Sequence, residues 1–233
     1  LKVDCVIVLG GDGTNRAVAR GSCDIPIVPI STGTNNVFPS MVEGTVAGMA
    51  AGVLATGLVQ AEEVTYRAKL LELFVDGELV DVALVDVATS RDLFVGSGAL
   101  WDPRRIREAV LACIRPGTVG LSAVGGCLGM PRADGGMYLR FGPGGRRVLA
   151  PLAPGLVVPL DVQEYRRIEV GEEIPLASGN GTIALDGERE LELGVDQTLS
   201  VRLSGKGPRV VEIPEALRKA ALVGAFELGG DHD

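Results

Sequence analysis

Residues 3–58 alternate between two kinds of segment, and that alternation restricts the fold more than any other feature of the chain. An apolar run, Val3 to Leu9, feeds the glycine-rich stretch LGGDGTN at 9–15, and a short helical pattern follows at Asn15 to Arg20. A second apolar run occupies Ile25 to Ile30, and a helical pattern spans about Val46 to Leu58. Strand, helix, strand, helix is the pattern of a parallel sheet joined by crossover helices. In such sheets ligands bind in loops at the C-terminal ends of the strands. Two parallel strands do not make a stable sheet, because both faces need cover and sheets usually have four to six strands. The pattern therefore calls for further strands, from an upstream segment or a partner chain.

From Tyr66 the periodicity changes. YRAKLLELFVDGELVDVALVDVATS, residues 66–90, alternates apolar and polar residues on either side of Asp76-Gly77, a dipeptide favoured in two-residue hairpin turns. In DPRRIREAVLACI, residues 102–114, apolar residues fall at helical spacing behind Asp102 as N-cap and Pro103 at the first helical position, which predicts a helix. Short apolar segments broken by Gly and Pro then run from Met137 to Ile213, and PEALRKAALVGAF at 214–226 reads as a closing helix. Close-spaced strands with few helices among them describe an antiparallel β-rich domain. The expected organisation is part of an α/β domain at 1–62, a β-rich domain at 63–213, and a C-terminal helix and tail at 214–233.

Composition narrows the function. A net charge of −8 argues against a nucleic-acid surface or a membrane-seeking basic face, so a polyphosphate substrate needs local arginines or a divalent metal. Cys5, Cys23, Cys113 and Cys127 lie in or beside apolar runs without CxxC spacing and read as buried free thiols of a reducing compartment. VAGMAAGVLATGLV, residues 46–59, is too short and glycine-rich to span a membrane easily, and no signal peptide is visible; a cytoplasmic protein is expected. The single histidine, His232, excludes a multi-histidine metal site or a Ser-His-Asp triad built from this chain alone.

The glycine stretch can now be placed. A strand running through GGDGT into a helix presents several backbone N–H groups at a helix N-terminus, where unpaired donors and the dipole favour phosphate. Asp12 is the anomaly, since a carboxylate repels polyphosphate. Either it is a solvated turn residue, or it takes a proton from an attacking hydroxyl or helps to position a metal. After the second strand comes STGTNNVFP, residues 31–39, another loop of small hydrogen-bonding residues on the same sheet edge. It reads as a second wall of one ligand crevice, or as a turn in which Asn35 or Asn36 caps a helix. Neither a Walker P-loop nor the dinucleotide fingerprint GxGxxG is present in these stretches.

LGGDGTNRAVA resembles the GGDGT signature shared by ATP-NAD kinases, diacylglycerol and sphingosine lipid kinases and, more distantly, phosphofructokinases. Together with PISTGTNNVFP and GLSAVGG at 120–126, it is similar in particular to the NAD-kinase-like proteins of the acetoin-catabolism protein X type. The resemblance covers essentially the whole chain. It implies an NAD-kinase-like fold: a parallel-sheet α/β domain, truncated at its start, and an antiparallel β-rich domain. It further implies that Gly10, Gly11, Gly13, Thr14 and Asn15 contact phosphates and that Asp12 is the general base. Gly33, Thr34, Asn35 and Asn36 would form the second loop, nearer the lipid-kinase GTGN version. Where NAD kinases carry an Asn-Glu or Asn-Asp pair for the nucleotide, this chain reads ALVDVATS, so Asp86 remains and Val85 replaces the asparagine. The loop TPTGSTAY has no clear counterpart.

The function so implied is phosphoryl transfer from ATP with Mg²⁺ to a nucleotide hydroxyl, the 2′-OH of NAD, by a homodimer or homotetramer that engages neither membrane nor nucleic acid. A diacylglycerol- or sphingosine-type lipid kinase and an inactive nucleotide-binding regulator are the alternatives. Arg16 and Arg20 on the first helix, and Arg91, Arg104, Arg105 and Arg107 later, are candidate charge partners for phosphate. The last three read more simply as a solvated helical face, and Asp186 in IALDGERE as an Asp-Gly turn residue.

Overall fold

The computed structural model describes residues 3–90, 105–129, 135–177, 181–187 and 189–227. The chain begins with β1 (Val6–Leu9), α1 (Asp12–Ser22), β2 (Ile27–Ile30) and α2 (Gly44–Ala55). There follow β3 (Thr65–Arg67), β4 (Leu70–Val75), β5 (Glu78–Ala83), β6 (Asp86–Ser90), β7 (Ile106–Leu111) and α3 (Leu121–Cys127). A long hairpin, β8 (Gly136–Ala153) and β9 (Leu156–Ile168), leads into β10 (Glu173–Leu176), β11 (Gly181–Leu185) and β12 (Arg189–Leu193). The last elements are β13 (Leu199–Ser204), β14 (Arg209–Val211) and α4 (Ile213–Leu222).

These elements form an α/β half and an antiparallel β half, as the sequence leads one to expect. The first sheet has the order β1-β2-β14-β3, with β1, β2 and β14 parallel and β3 antiparallel to β14. β14 pairs β2 at Val210 and Ile27 alone; farther along that edge Ser40 bridges Ile30, and Pro29, which has no N–H to donate, takes part through its carbonyl, which accepts from Ser40 N–H at 3.3 Å. Two strands of this sheet thus come from later in the same chain, a source the sequence reading did not name. α2 and α4 cover one face: Val28, Ile30, Ala47, Ala50, Val53, Val211, Ala216 and Ala220 share one buried cluster. The other face packs on the β half through Val8, Ile27, Val37, Phe38, Leu70, Leu84 and Val85.

The β half is two antiparallel sheets, β10-β13-β4-β5 and β12-β11-β6-β7-β8-β9. Leu71, Leu73, Val110, Ile168, Ile183, Leu185 and Val201 interdigitate between them, while α3 covers the outer side of the larger sheet at Ala109, Leu111, Leu121, Val124 and Met137. The β4–β5 turn falls at Asp76-Gly77 with φ of 51° and 80°, the left-handed pair that a type I′ hairpin requires. The helix predicted at 102–114 is a correction: Ile106–Leu111 is β7, paired on both edges with β6 and β8. β7 is central and buried on both faces from Glu108 to Leu111, so its apolar residues do not alternate, and so short a segment carries no distinguishing period. Asp102 and Pro103, its expected cap, lie outside the described residues, as does His232.

Candidate functional site

The site starts at the end of β1. Gly11 is the N-cap of α1 in extended backbone, and Asp12, Gly13 and Thr14 form the first turn, so the helix begins three residues earlier than its apolar spacing indicated. A Cβ on Gly10 would lie 2.6 Å from the Thr14 Cβ; only glycine lets the strand turn so tightly into the helix. Gly10 N–H donates to Ile30 O at 3.0 Å, which ties the ends of β1 and β2 together. Asn15 is fully buried and donates through Nδ2 to Gly11 O at 2.8 Å.

The second loop closes on itself. Ser31 N–H donates to Ser40 O at 2.9 Å; Ser31 Oγ donates to Gly33 O at 2.6 Å and accepts from Asn36 Nδ2 at 2.7 Å. Neither Asn35 nor Asn36 caps a helix, because α2 begins at Gly44 with Glu43 as its cap. The two loops are joined by Asp12. Its carboxylate accepts from Val37 N–H at 3.0 Å and Phe38 N–H at 2.7 Å, and the residue is only 6% exposed. Asp12 is therefore not a solvated turn residue; it holds loop 31–38 against the start of α1.

A cavity of about 260 Å³ opens between the two halves. Asp12, Asn35, Asn36 and Val37 form its α/β wall. Val85 and Asp86 at the start of β6, Ile106 of β7, Val119 to Leu121 ahead of α3, Leu152 to Pro154 at the β8–β9 turn, and Asp186-Gly187 form the opposite wall. Of the residues expected at a site, Asp12, Asn35, Asn36 and Asp86 meet here. Gly10, Gly11, Gly13, Thr14 and Asn15 make the turn and first helical turn behind Asp12, and Gly33 and Thr34 belong to the second loop; none of these seven forms the cavity wall.

Asp186, read from sequence as a plain turn residue, is a wall residue as well. It does lie in an Asp-Gly turn, with φ of 53° at Asp186 and 67° at Gly187. Its side chain, however, points back and accepts from Leu84 N–H at 3.0 Å and Val85 N–H at 2.8 Å, which fixes the approach to β6. No local signal separates it from Asp76-Gly77; the difference is that β11 before it is buried throughout, whereas β5 after Asp76-Gly77 begins exposed. A turn that ends a strand buried on both faces has an inward direction available to its side chain.

Three carboxyl groups thus face one cavity. Burial, followed by the negative charges of Asp186 and Asp12, pushes the Asp86 carboxyl up to about 8. Burial also pushes Asp186 up to about 7, against the lowering effect of the Val85 and Leu84 amides and of Arg16. Arg16 Nε lies 4.0 Å from Asp186 Oδ2 and its Nη1 donates to Leu185 O at 3.4 Å; Arg20 pairs with Asp81 at 3.3 Å. Both arginines weighed as phosphate partners therefore tie α1 to the β half. Arg105 and Arg107 flank or belong to a strand, not a helical face, and Arg91 and Arg104 lie outside the described residues.

Among the described residues, no group of three or more His, Cys, Asp or Glu is arranged to hold a metal ion. All four cysteines are free, but Cys23 and Cys127 are exposed, which corrects the expectation of four buried thiols. No helix among the described residues is long and apolar enough to cross a membrane.

A strand–GGDGT–helix element facing an antiparallel double sheet across a cavity defines a protein of the NAD-kinase-like class. Comparison agrees: residues 1–58 match the ATP-NAD kinase N-terminal domain, and residues 69–206 match the acetoin catabolism protein X C-terminal domain. The second match covers more than half of the chain, and the chain belongs to the acetoin catabolism protein X family. It is 36% identical over 227 residues to acetoin catabolism protein X of Cupriavidus necator, a match that takes in 94% of this chain and 63% of that protein. Similar solved structures include yeast NADH kinase complexed with NADH, at TM-score 0.45 and 13% identity over 99% of this chain and 69% of the other. An NAD kinase from Archaeoglobus fulgidus in complex with ATP is similar at TM-score 0.44 and 15% identity, over 95% and 82% of the two chains.

Proposed function

We propose that the chain is the nucleotide-binding core of a phosphotransferase that moves the γ-phosphoryl group of ATP to a nucleotide hydroxyl, the adenosine-ribose 2′-OH of NAD, and so makes NADP. The observation that carries this reading is the meeting of Asp12 from the glycine turn, Asn35 and Asn36 from the 31–38 loop, and Asp86 around one cavity beyond the C-terminal ends of β1 and β2. Phosphoryl transfer needs positioning and charge stabilisation more than covalent chemistry, which suits a site of backbone amides, asparagines and carboxyls. Backbone N–H groups at the start of α1 suit the phosphates, and Asn35 and Asn36 suit hydroxyl and amide groups of the acceptor. Mg²⁺ would accompany the triphosphate, as it usually does in phosphoryl transfer. The enzyme so read is a cytoplasmic homo-oligomer that works on small-molecule nucleotides in acetoin catabolism.

One observation favours a second reading. The Asp12 carboxylate accepts from two buried amides, an arrangement that also suits a regulator in which nucleotide binding sets the loop but no phosphate moves. Titration calorimetry with NAD and with ATP, beside an assay of NADP formation, separates the two. Binding with turnover supports the kinase, and binding without turnover supports the regulator. Transfer of label from ATP to diacylglycerol but not to NAD would make it a lipid kinase; absence of nucleotide binding defeats all three.

A further inference from the structure

The three carboxyl groups of the cavity are not equivalent, and the difference lies in their hydrogen bonds. Asp12 is occupied by the amides of Val37 and Phe38, and Asp186 by those of Leu84 and Val85 with Arg16 close by. Both are structural acceptors: a carboxylate that receives two backbone N–H groups is fixed in direction, with those lone pairs turned away from a ligand. Asp86 differs. It opens β6 on the cavity wall, and among the described residues none donates a hydrogen bond to its carboxyl; its contact with Asp186 runs through its own backbone, N–H to Asp186 Oδ1 and O from Asp186 N–H. We propose that Asp86, and not Asp12, is the carboxyl group that meets the acceptor hydroxyl of the bound nucleotide and takes its proton.

This inference rests on the phosphotransferase reading above. In the step it describes, the acceptor O–H breaks and its proton passes to an Asp86 carboxylate oxygen. The acceptor oxygen forms a bond to the γ-phosphorus of ATP as the bond from that phosphorus to the β–γ bridging oxygen breaks, and ADP leaves. Base strength favours the same residue. An ordinary carboxylate is a poor acceptor for an alcohol proton, whereas Asp86, raised to about 8 by burial and by the charges of Asp186 and Asp12, is a much stronger one when ionised. The groups that face it and set this value are Asp186 on the β11–β12 turn and Asp12 on α1, with Arg16 of α1 offsetting Asp186.

The test is steady-state NADP formation from NAD and ATP as a function of pH, with the intact protein and the variants Asp86→Asn, Asp86→Glu and Asp12→Asn. The wild type is expected to show a rate that rises with pH to a plateau above about 8. Asp86→Asn should lower kcat by roughly 10²-fold or more, change the KM for NAD less than about threefold, and abolish the rise with pH. Asp86→Glu should recover part of the rate and the rise. Asp12→Asn should raise KM and lower thermal stability while the rise with pH persists. A wild-type rate retained in Asp86→Asn, or a pH limb lost only in Asp12→Asn, overturns the assignment while leaving the phosphotransferase intact; an inactive wild type overturns both.

Discussion

Asp12 illustrates how a residue of a glycine turn can be engaged twice, once by position and once by hydrogen bond. Its carboxylate closes the 31–38 loop by accepting from Val37 and Phe38. Asp12→Asn would leave one amide facing an NH₂ group, a loss of about 1–3 kcal/mol. At this chain length the expected result in a thermal melt is a drop of several degrees. Asp86 and Asp186 predict a pH dependence of opposite character. Their folded values, about 8 and about 7, lie above those of an unfolded aspartate, so the native state holds protons more tightly. The contribution of these two groups is therefore most favourable below about pH 4 and is lost progressively as pH rises from there to about 7 for Asp186 and about 8 for Asp86. Denaturant unfolding at about pH 4 and pH 8.5 should show Asp86→Asn gaining stability over the wild type at the higher pH, with little difference at the lower. No gain at pH 8.5 would mean that Asp86 is not held protonated by its surroundings.

At the scale of elements, α3 depends on a close approach. A Cβ on Gly126 would fall 2.6 Å from Pro116 Cα, where only backbone could give way. Gly126→Ala should cost about 1–3 kcal/mol by displacing α3. Because Gly120 and Leu121 before and in α3 line the cavity, the same change should weaken nucleotide binding measured by calorimetry. Elements with strong local signals were legible in the sequence: β1 and β2 from apolar runs ending in polar loops, the β4–β5 hairpin from Asp76-Gly77, and α4 from Pro214. The residues that misled are those whose placement depends on distant partners. β7 looked helical because cover on both faces removed its alternation. β14 is three residues of RVV, indistinguishable locally from its neighbours, and only its pairing with Ile27 and Tyr66 shows which sheet it joins. Within the cavity, Asp12, Asn35, Asn36 and Asp86 could be read from motifs; Asp186 could not, because its role depends on amides a hundred residues away.

At the scale of the whole molecule, the two halves are not consecutive blocks of sequence. β3, β14 and α4 flank the β half in sequence yet build the α/β half, and Val211, Ile213, Ala216 and Ala220 supply part of its core. A chain ended after Gly207 should keep a protease-resistant double sheet while its first 60 or so residues become rapidly cleavable, an outcome that limited proteolysis with mass spectrometry can read. Equal resistance of both halves would show that β14 and α4 are dispensable. The return of the chain into its first sheet also bears on how the protein is made. Strand β2 leaves the ribosome well over a hundred residues before Val210, its neighbour, and contacts so far apart in sequence form slowly. The glycine turn and its sheet must therefore wait, incomplete, until the residues around Val210 have been made. A newly made chain completes the sheet around its glycine turn only once Val210 has emerged, and the exposed strand is the part of it that most needs protection from a chaperone until then.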